Sequence, residues 1–478
     1  MRGTGGRPGR REQVHDHSPQ QGFASWTACT SWPCWPALPG WYGGVPSPRY
    51  RSSGPPSRCG NQRQMNALAP RRRTVAGMLQ QKDGAIGRIR LLTFTTLFPN
   101  AVQPNHGVFV ENRLRHLVAS GDVSSVVLAP VPWFPWTSPY FGAWARYAAV
   151  PRRENRHGLD VHHPPFPAPP RLGMLTGPAC LYHAARTALR RMLEQGLRFD
   201  AIDAHYLYPD GVAAVRLGRE FGLPVVVTAR GSDTSQLPSY RIPRRAIRRT
   251  IQEADALIAV STGLKDGLVA LGAPAGKVTV LRNGVNLDLF RPPESRADAR
   301  TALGLGEAKV LLSVGHLIER KGHHKVIQAL AKLPACRLLI VGEGPERHAL
   351  QALARSLGVE DRVHLEGAQP HTRLPLYYGA ADVLVLASSR EGWANVLLEA
   401  MACGTPVVTT PAWGSREAVS RVEAGLVVDE ATPEALAAAI DRLLAAPPDR
   451  EATRAYAETF SWDDTTAGQL ALFRKVLS

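Results

Sequence analysis

Two glutamates eight positions apart, Glu391 and Glu399, lie in EGWANVLLEAMACGTPVV, a stretch whose residue types suit a phosphorylated ligand. The run before it, Val383 to Ala387, is wholly apolar, as a strand buried on both faces requires. A polar turn with Gly392 follows, then a helix with apolar Val396, Leu397, Ala400 and Met401, stopped by Gly404. Strand, glycine turn and helix start together make an anion site. The free N–H groups of the first turn, from Gly392 and Trp393 through Asn395 to Val396, point where the helix dipole is positive. Glu399 lies one turn inside, and its side chain leans back toward the ligand. A carboxylate beside a phosphate would repel it, so its natural partner is a diol further along, such as a ribose. Glu391 sits in the turn itself, nearer the phosphate and the reacting end. Taken alone, the pair suits a loop carboxylate and a solvated helix residue equally well.

The whole string, with the aspartate-bearing strand AADVLVLAS around Asp382, resembles the donor-site signature of the retaining family 4 glycosyltransferases, which have the GT-B fold. The resemblance runs from Arg88 to Ser478 and leaves the first eighty-odd residues uncovered. It implies a nucleotide-sugar donor whose diphosphate meets the loop Gly315-His316-Leu-Ile-Glu-Arg320-Lys321-Gly322. Lys321 matches the family's lysine. His316 stands where an arginine is usual, so a mostly neutral group replaces a fixed cation, and Arg320 or Arg230 is left to supply the charge. Gly344, in Gly342-Glu-Gly344-Pro345, is similar to a family turn at the nucleotide. His106 and Gly107 fall in the first loop, which in the family lies at the cleft. Ala229-Arg230-Gly231-Ser232-Asp233 occupies the place of a His-Gly-x-Asp loop. Arg230 replaces its histidine and cannot act as a base, though it can hold a phosphate or carboxylate; Asp233 is retained at the cleft. Read without the resemblance, most of these are ordinary loop residues.

Alternating strands and helices position these loops. Ile89 to Thr95, Ser125 to Pro130, Phe199 to His205 and Leu223 to Thr228 read as strands of one half, with Ala254 to Ser261 as its last. Helices are expected over Val108 to Ser120 and Asp210 to Phe221. Asn283-Gly284 is a turn signal at the joint. The runs 310–315, 337–342, 363–367, 383–387, 406–410 and 425–428 make a second parallel set. The fold class is α/β: two doubly wound, Rossmann-like domains facing a central cleft, at the carboxyl ends of the strands. The expected division is a disordered extension over 1–87, an acceptor-side domain over 88–288 completed by a final helix at 460–478, and a donor-binding domain over 289–459.

The formal charge of +17 is uneven, since residues 1–87 hold twelve Arg or Lys against three acids. That segment has no helical or strand period and is rich in Pro, Gly, Ser and Arg, which fits disorder. Its Cys29, Cys34 and Cys59 are too few and unevenly spaced for a zinc site. Met65 and Met78 are plausible alternative starts. No secretory signal and no run long enough for a transmembrane helix is visible. Cys180, Cys336 and Cys403 read as reduced core thiols of a cytosolic protein. Two features suit a membrane surface: an aromatic loop with Trp133, Phe134, Trp136, Tyr140, Phe141 and Trp144, and arginines at 241, 244, 245, 248 and 249.

These readings combine into a metal-independent, retaining hexosyl-type glycosyltransferase. It lies in the cytoplasm, peripheral on the inner face of the cell membrane. Its sugar would pass from a nucleotide diphosphate sugar to a glycan or lipid-linked acceptor in cell-surface polysaccharide biosynthesis. Catalytic candidates are Glu391, Lys321, Arg320 and Arg230. No Asp-x-Asp pair calls for a metal, no cofactor beyond the donor is needed, and nothing points to nucleic acid. Two rivals stand: an epimerase-like enzyme, and a nucleotide-sugar-binding GT-B protein without glycosyl transfer. Deleting residues 1–77 is expected to leave a soluble protein with a cooperative melt; aggregation or a broad melt would contradict the reading of that segment.

Overall fold

The structure is a computed structural model and describes residues 87–138, 140, 143–169 and 172–478. The extension expected over 1–87, with its three cysteines, lies outside the described residues save for Gly87, as does Phe141.

Two parallel sheets form the frame. The first has eight strands, in the order Val278–Val280, Ala256–Ala259, Val225–Ala229, Ala201–His205, Ile89–Phe94, Val123–Leu128, Leu159–His162 and Arg153–Arg156. Every neighbouring pair is parallel except the last, an antiparallel hairpin at the edge. The second has six parallel strands, in the order Val363–Gly367, Cys336–Val341, Lys309–Val314, Val383–Leu386, Val407–Thr409 and Gly425–Val427. Central strands are mostly apolar because helices cover both faces: Leu91, Leu92, Val226, Val227, Leu311 and Leu312 are fully buried. Two doubly wound sheets of this kind are the α/β architecture expected from the sequence.

Several elements differ from the sequence expectation, among them the edge strands Leu159–His162 and Arg153–Arg156, which it does not include. Ala256–Ala259 is not the last strand of the first half, since Val278–Val280 pairs beside it; three residues are too few to show a period. The helix expected from Asp210 starts at Val212, after an irregular turn over Leu207–Gly211. The 22-residue helix Gly173–Glu194 carries Pro178 inside it, which masked its pattern.

The last helix, Trp462–Leu477, crosses back to the first domain. Its Leu470 and Phe473 join Ile89, Leu91 and Leu117 in one cluster, and Gln469 accepts a hydrogen bond from Arg113 Nε at 2.9 Å. The helix before it, Arg450–Glu458, holds the carboxyl end of the helix Asn395–Ala402. Arg450 donates to the carbonyl of Cys403 at 3.2 Å and Arg454 to that of Ala402 at 2.8 Å, so carbonyls left open by the helix end are satisfied. Asp382 is a structural carboxylate: it accepts from the Val310 amide at 2.8 Å and pairs with Arg296 at 2.7 Å.

Phe473 is completely buried. Phe473→Ala should cost about 3–5 kcal/mol of stability, read as a lower urea midpoint. A change below about 1 kcal/mol would mean that the helix is not part of the first domain's core.

Candidate active site in the interdomain cleft

Strand order reverses once in each sheet, between Ile89–Phe94 and Ala201–His205, and between Lys309–Val314 and Val383–Leu386. Loops leaving the carboxyl ends at such points open a crevice. Here both crevices face one cleft, and all the predicted site residues lie on the loops around it or on the helices those loops start.

On the second domain, Lys321 ends a single 3-10 turn, Glu319–Lys321, and its Nζ lies 2.6 Å from Glu391 Oε1. Arg320 Nη1 is 3.8 Å from the other Glu391 oxygen and donates to the Arg390 carbonyl at 2.9 Å. Burial alone would raise the Glu391 carboxyl, but the charges of Lys321 and Arg320 outweigh it and hold it below the ordinary glutamate range. The three predicted residues are therefore one charged cluster. Gly322 has φ 71°, and a Cβ there would collide with the Ala387 carbonyl, so the turn can approach the strand end only as glycine. Gly344 has a different reason to be glycine: a Cβ would strike the Leu317 carbonyl beneath the loop. His316 is lowered by burial and by Lys321 and Arg320, so it is neutral near pH 7.

The helix Asn395–Ala402 begins at Ala394 with no side-chain cap, leaving its first amides open. A Cβ on Gly392 would hit the Arg230 carbonyl, so the two domains' loops meet backbone to backbone. The neighbouring side chains face the joint. Trp393 Nε1 donates to the Asn283 carbonyl at 3.1 Å, and Asn395 Oδ1 accepts from Asn283 Nδ2 at 3.2 Å. Val396 is half-buried against the core. Glu399 is engaged by two residues the sequence reading missed: Tyr378 donates to Oε2 at 2.8 Å, and His371 Nε2 lies 3.4 Å from Oε1. Burial opposes a charge on His371, but its hydrogen bond to Glu399 and that carboxylate's charge raise it above the usual histidine value. Phe290 sits edge-on to both rings.

On the first domain, Gly107 starts the helix Val108–Ala119 at φ 71°, against the Leu97 carbonyl. His106 Nε2 lies 3.0 Å from the Thr96 carbonyl, and burial lowers its pKa. Asp233 accepts from the amides of Leu207 at 2.9 Å, Arg230 at 3.1 Å and Gly231 at 2.7 Å, so it shapes the loop rather than presenting a carboxylate to solvent. Asp210, read from the sequence only as a helix start, accepts from the Thr96 amide and hydroxyl, and burial pushes it up to about 7.

Arg230 was expected to offer its charge across the cleft. The structure turns it into the floor instead. Its Nη2 lies 2.7 Å from His205 Nδ1 and its Nη1 donates to Asn283 Oδ1 at 3.3 Å, with the guanidinium 5.2 Å from the Phe109 ring centre. Burial and nearby Arg113 lower it to about 9. Among the described residues its side-chain partners are His205, Asn283 and Phe109, not Lys321 or Glu391.

A cavity of about 490 Å³ opens between the halves, with Asn105 and Val108 on one wall and Gln369, His371 and Thr372 on the other. Among the described residues no three His, Cys, Asp or Glu side chains gather as a metal site, and Cys180, Cys336 and Cys403 are free thiols. No described helix is long and apolar enough to cross a membrane.

Comparisons with known proteins agree with this arrangement. Residues 107–289 match the model of Glycosyltransferase Family 4, and residues 295–460 that of Glycosyl transferases group 1. D-inositol 3-phosphate glycosyltransferase of Mycobacterium tuberculosis is 33% identical over 320 residues, 62% of this chain; the match spans 66% of that relative. Sucrose-phosphate synthase from Thermosynechococcus elongatus superposes with TM-score 0.68 at 24% identity, over 81% of this chain and 99% of the other. Anabaena HepE, solved with UDP and glucose, gives TM-score 0.63 at 20% identity, over 81% of this chain and all of the other. At these identities the solved structures are alike in fold.

The His371–Glu399 pair carries a stability signature. A histidine raised in the folded state contributes below its unfolded value of about 6.5, and the contribution fades as pH rises through the folded value. His371→Gln should therefore destabilise the protein more at pH ~5.5 than at pH ~8.5, by up to about 1 kcal/mol for a partly exposed pair. Equal melting-point losses at both pH values would show that the pair is not charged.

Proposed function

The chain belongs to the glycosyltransferases of the family 4 and group 1 type, and on that premise we propose that it moves a hexosyl group from a nucleotide diphosphate sugar to a hydroxyl of a glycan or lipid-linked acceptor. The observation that carries this is the Lys321–Glu391 ion pair beside the uncapped start of the helix Asn395–Ala402. Glu399 lies one turn further in, on the same wall of the cleft. Together these offer a cation and open amides for a diphosphate, a carboxylate for sugar hydroxyls and another for a diol.

In this reading the bond between the sugar's anomeric carbon and the diphosphate breaks as the acceptor oxygen attacks. Negative charge grows on the departing diphosphate, and Lys321, Arg320 and the amides from Gly392 to Val396 stabilise it. Glu391 holds the sugar's hydroxyls and keeps the Lys321 ammonium at the reacting end. Glu399, fixed by Tyr378, takes the ribose. The acceptor's proton passes to an oxygen of the leaving diphosphate on the same face, which retains the anomeric configuration and requires no metal. His106, Gly107 and the loop held by Asp233 form the acceptor side, and Gly344 and His316 back the phosphate loop. Arg230 serves by holding that side against the hinge. Because a fold neighbour was solved with UDP, uridine diphosphate sugars are the first donors to try.

The acceptor reading extends to the membrane. Trp133, Trp136 and Tyr140 are 52%, 57% and 91% exposed on the first domain, aromatic surface of the kind that settles at a lipid interface. We place the enzyme on the inner face of the cell membrane, working on cell-surface polysaccharide.

The two glutamates separate by ligand. Glu399→Ala should weaken donor and free nucleoside diphosphate alike, by roughly ten- to a hundredfold, as for a lost charged hydrogen-bond partner. Glu391→Gln should leave nucleoside diphosphate affinity nearly unchanged while turnover falls, as for a contact tied to the reacting sugar. Calorimetric titration of both variants decides it, and the opposite pattern would overturn the assignment.

A further inference from the structure

The helix Arg241–Glu253 breaks the local rules of helix stability. Its first turn has no acid, although the positive end of the dipole favours one. Arg241, Arg244, Arg245 and Arg248 instead crowd the first two turns at three- and four-residue spacings, which sets like charges side by side. Only Arg249 has a carboxylate partner, Glu253 at 2.7 Å, and Arg244 Nε donates to the Pro238 carbonyl. No described carboxylate pairs with Arg241, Arg245 or Arg248. The other face is ordinary, with Pro243, Ile247, Thr250 and Ile251 buried. Local rules broken on one face only point to a ligand that compensates for them.

The four arginines line a single groove of about 250 Å³. Its position follows from topology. The helix comes after the strand Val225–Ala229 and the loop through Gly231, whose backbone touches Gly392 across the cleft. In a parallel sheet such a helix starts at the carboxyl edge, so its arginine-bearing first turns lie at the end of the first domain from which the cleft loops also leave. Apolar surface adjoins it. Ile242, next to Arg241 on the same helix, is exposed.

We propose that this groove binds the diphosphate of a lipid-linked acceptor. Arginine forks hold phosphate oxygens in pairs. Two joined phosphates match a row that runs along two helical turns, about 10 Å, better than one does. Exposed Ile242 takes the start of the lipid chain. The proposal rests on the glycosyl-transfer reading and names the acceptor's chemical class.

The test is calorimetric titration of the full chain, first saturated with nucleoside diphosphate so that the Lys321 site is occupied. The titrants are inorganic pyrophosphate and a short-chain prenyl diphosphate. Both should bind, the prenyl form more tightly, and Arg245→Gln/Arg248→Gln should weaken both about tenfold or more. Arg245→Lys/Arg248→Lys should recover part of the loss, which a folding defect would not. Pyrophosphate displaced entirely by nucleoside diphosphate, or unchanged binding by the glutamine variant, overturns the proposal. Vesicle sedimentation separates the sources of phosphate. Neutral vesicles carrying prenyl diphosphate should hold the protein better than phosphatidylglycerol vesicles of equal charge; the reverse would make the groove a general anionic-membrane contact. Either failure leaves the Glu391 and Glu399 titrations intact, so it is distinguishable from failure of the donor-site reading.

Discussion

The cleft depends on how one buried asparagine is shared. Asn283 Oδ1 accepts from Arg113 Nη1 and from Arg230 Nη1, both at 3.3 Å, its Nδ2 donates to Asn395, and its carbonyl accepts from Trp393. Two guanidinium groups would be costly to bury without acceptors, and an asparagine at the joint supplies one to both. The next residue, Gly284, has no room for a Cβ beneath the backbone at Ser461 and Trp462, where the final helix begins. A two-residue turn thus fixes the hinge, the cleft floor and the returning helix. A second tie lies at the flank. Glu417 of the second domain accepts from the Thr262 amide at 2.7 Å and pairs with Arg282 at 2.8 Å, while Trp413 lies against Gly263 and Gly267 of the first.

These ties determine what can face the ligand. With Trp393, Asn395 and Arg230 committed to the hinge, the charged groups left for a donor on the second domain's wall include Lys321, Arg320, Glu391 and Glu399, with the open amides of the helix start. That division explains why Arg230 differs in role from a histidine at the same place. A long cation beside Asn283 is drawn into the floor, where His205 and the Phe109 ring receive it. In the proposed reading the diphosphate's charge is then met from one side, with the sugar between that wall and the loops at His106 and Asp233.

Much of this was legible from residue order. Apolar runs fixed nearly every central strand, because parallel strands bury both faces. Lys321, Glu391 and Glu399 could be brought to one wall because each follows a strand of the same sheet. What remained hidden was contact at a distance. His371 and Tyr378 reach Glu399 from another loop and helix, and no spacing announces that. Asp210 looked like the start of a helix, yet its carboxylate belongs to Thr96, far back in the chain. Nothing in its spacing marks Arg113, which is buried between the hinge at Leu281 and Asn283 and Gln469 of the returning helix. Direction was hidden as well: Arg230 was placed on the correct loop, but the side its guanidinium takes is decided by Asn283, on the joint between the domains.

The central claim is that the cleft turns a nucleotide sugar over rather than only holding it. The most direct measurement incubates the purified chain with sugar-labelled nucleotide diphosphate donors and a lipid-linked glycan acceptor. It follows free nucleoside diphosphate and the anomeric configuration of the labelled product. The account predicts stoichiometric release of nucleoside diphosphate and label in the acceptor with its configuration retained. Donor that binds saturably but stays intact in the presence of acceptor would contradict it.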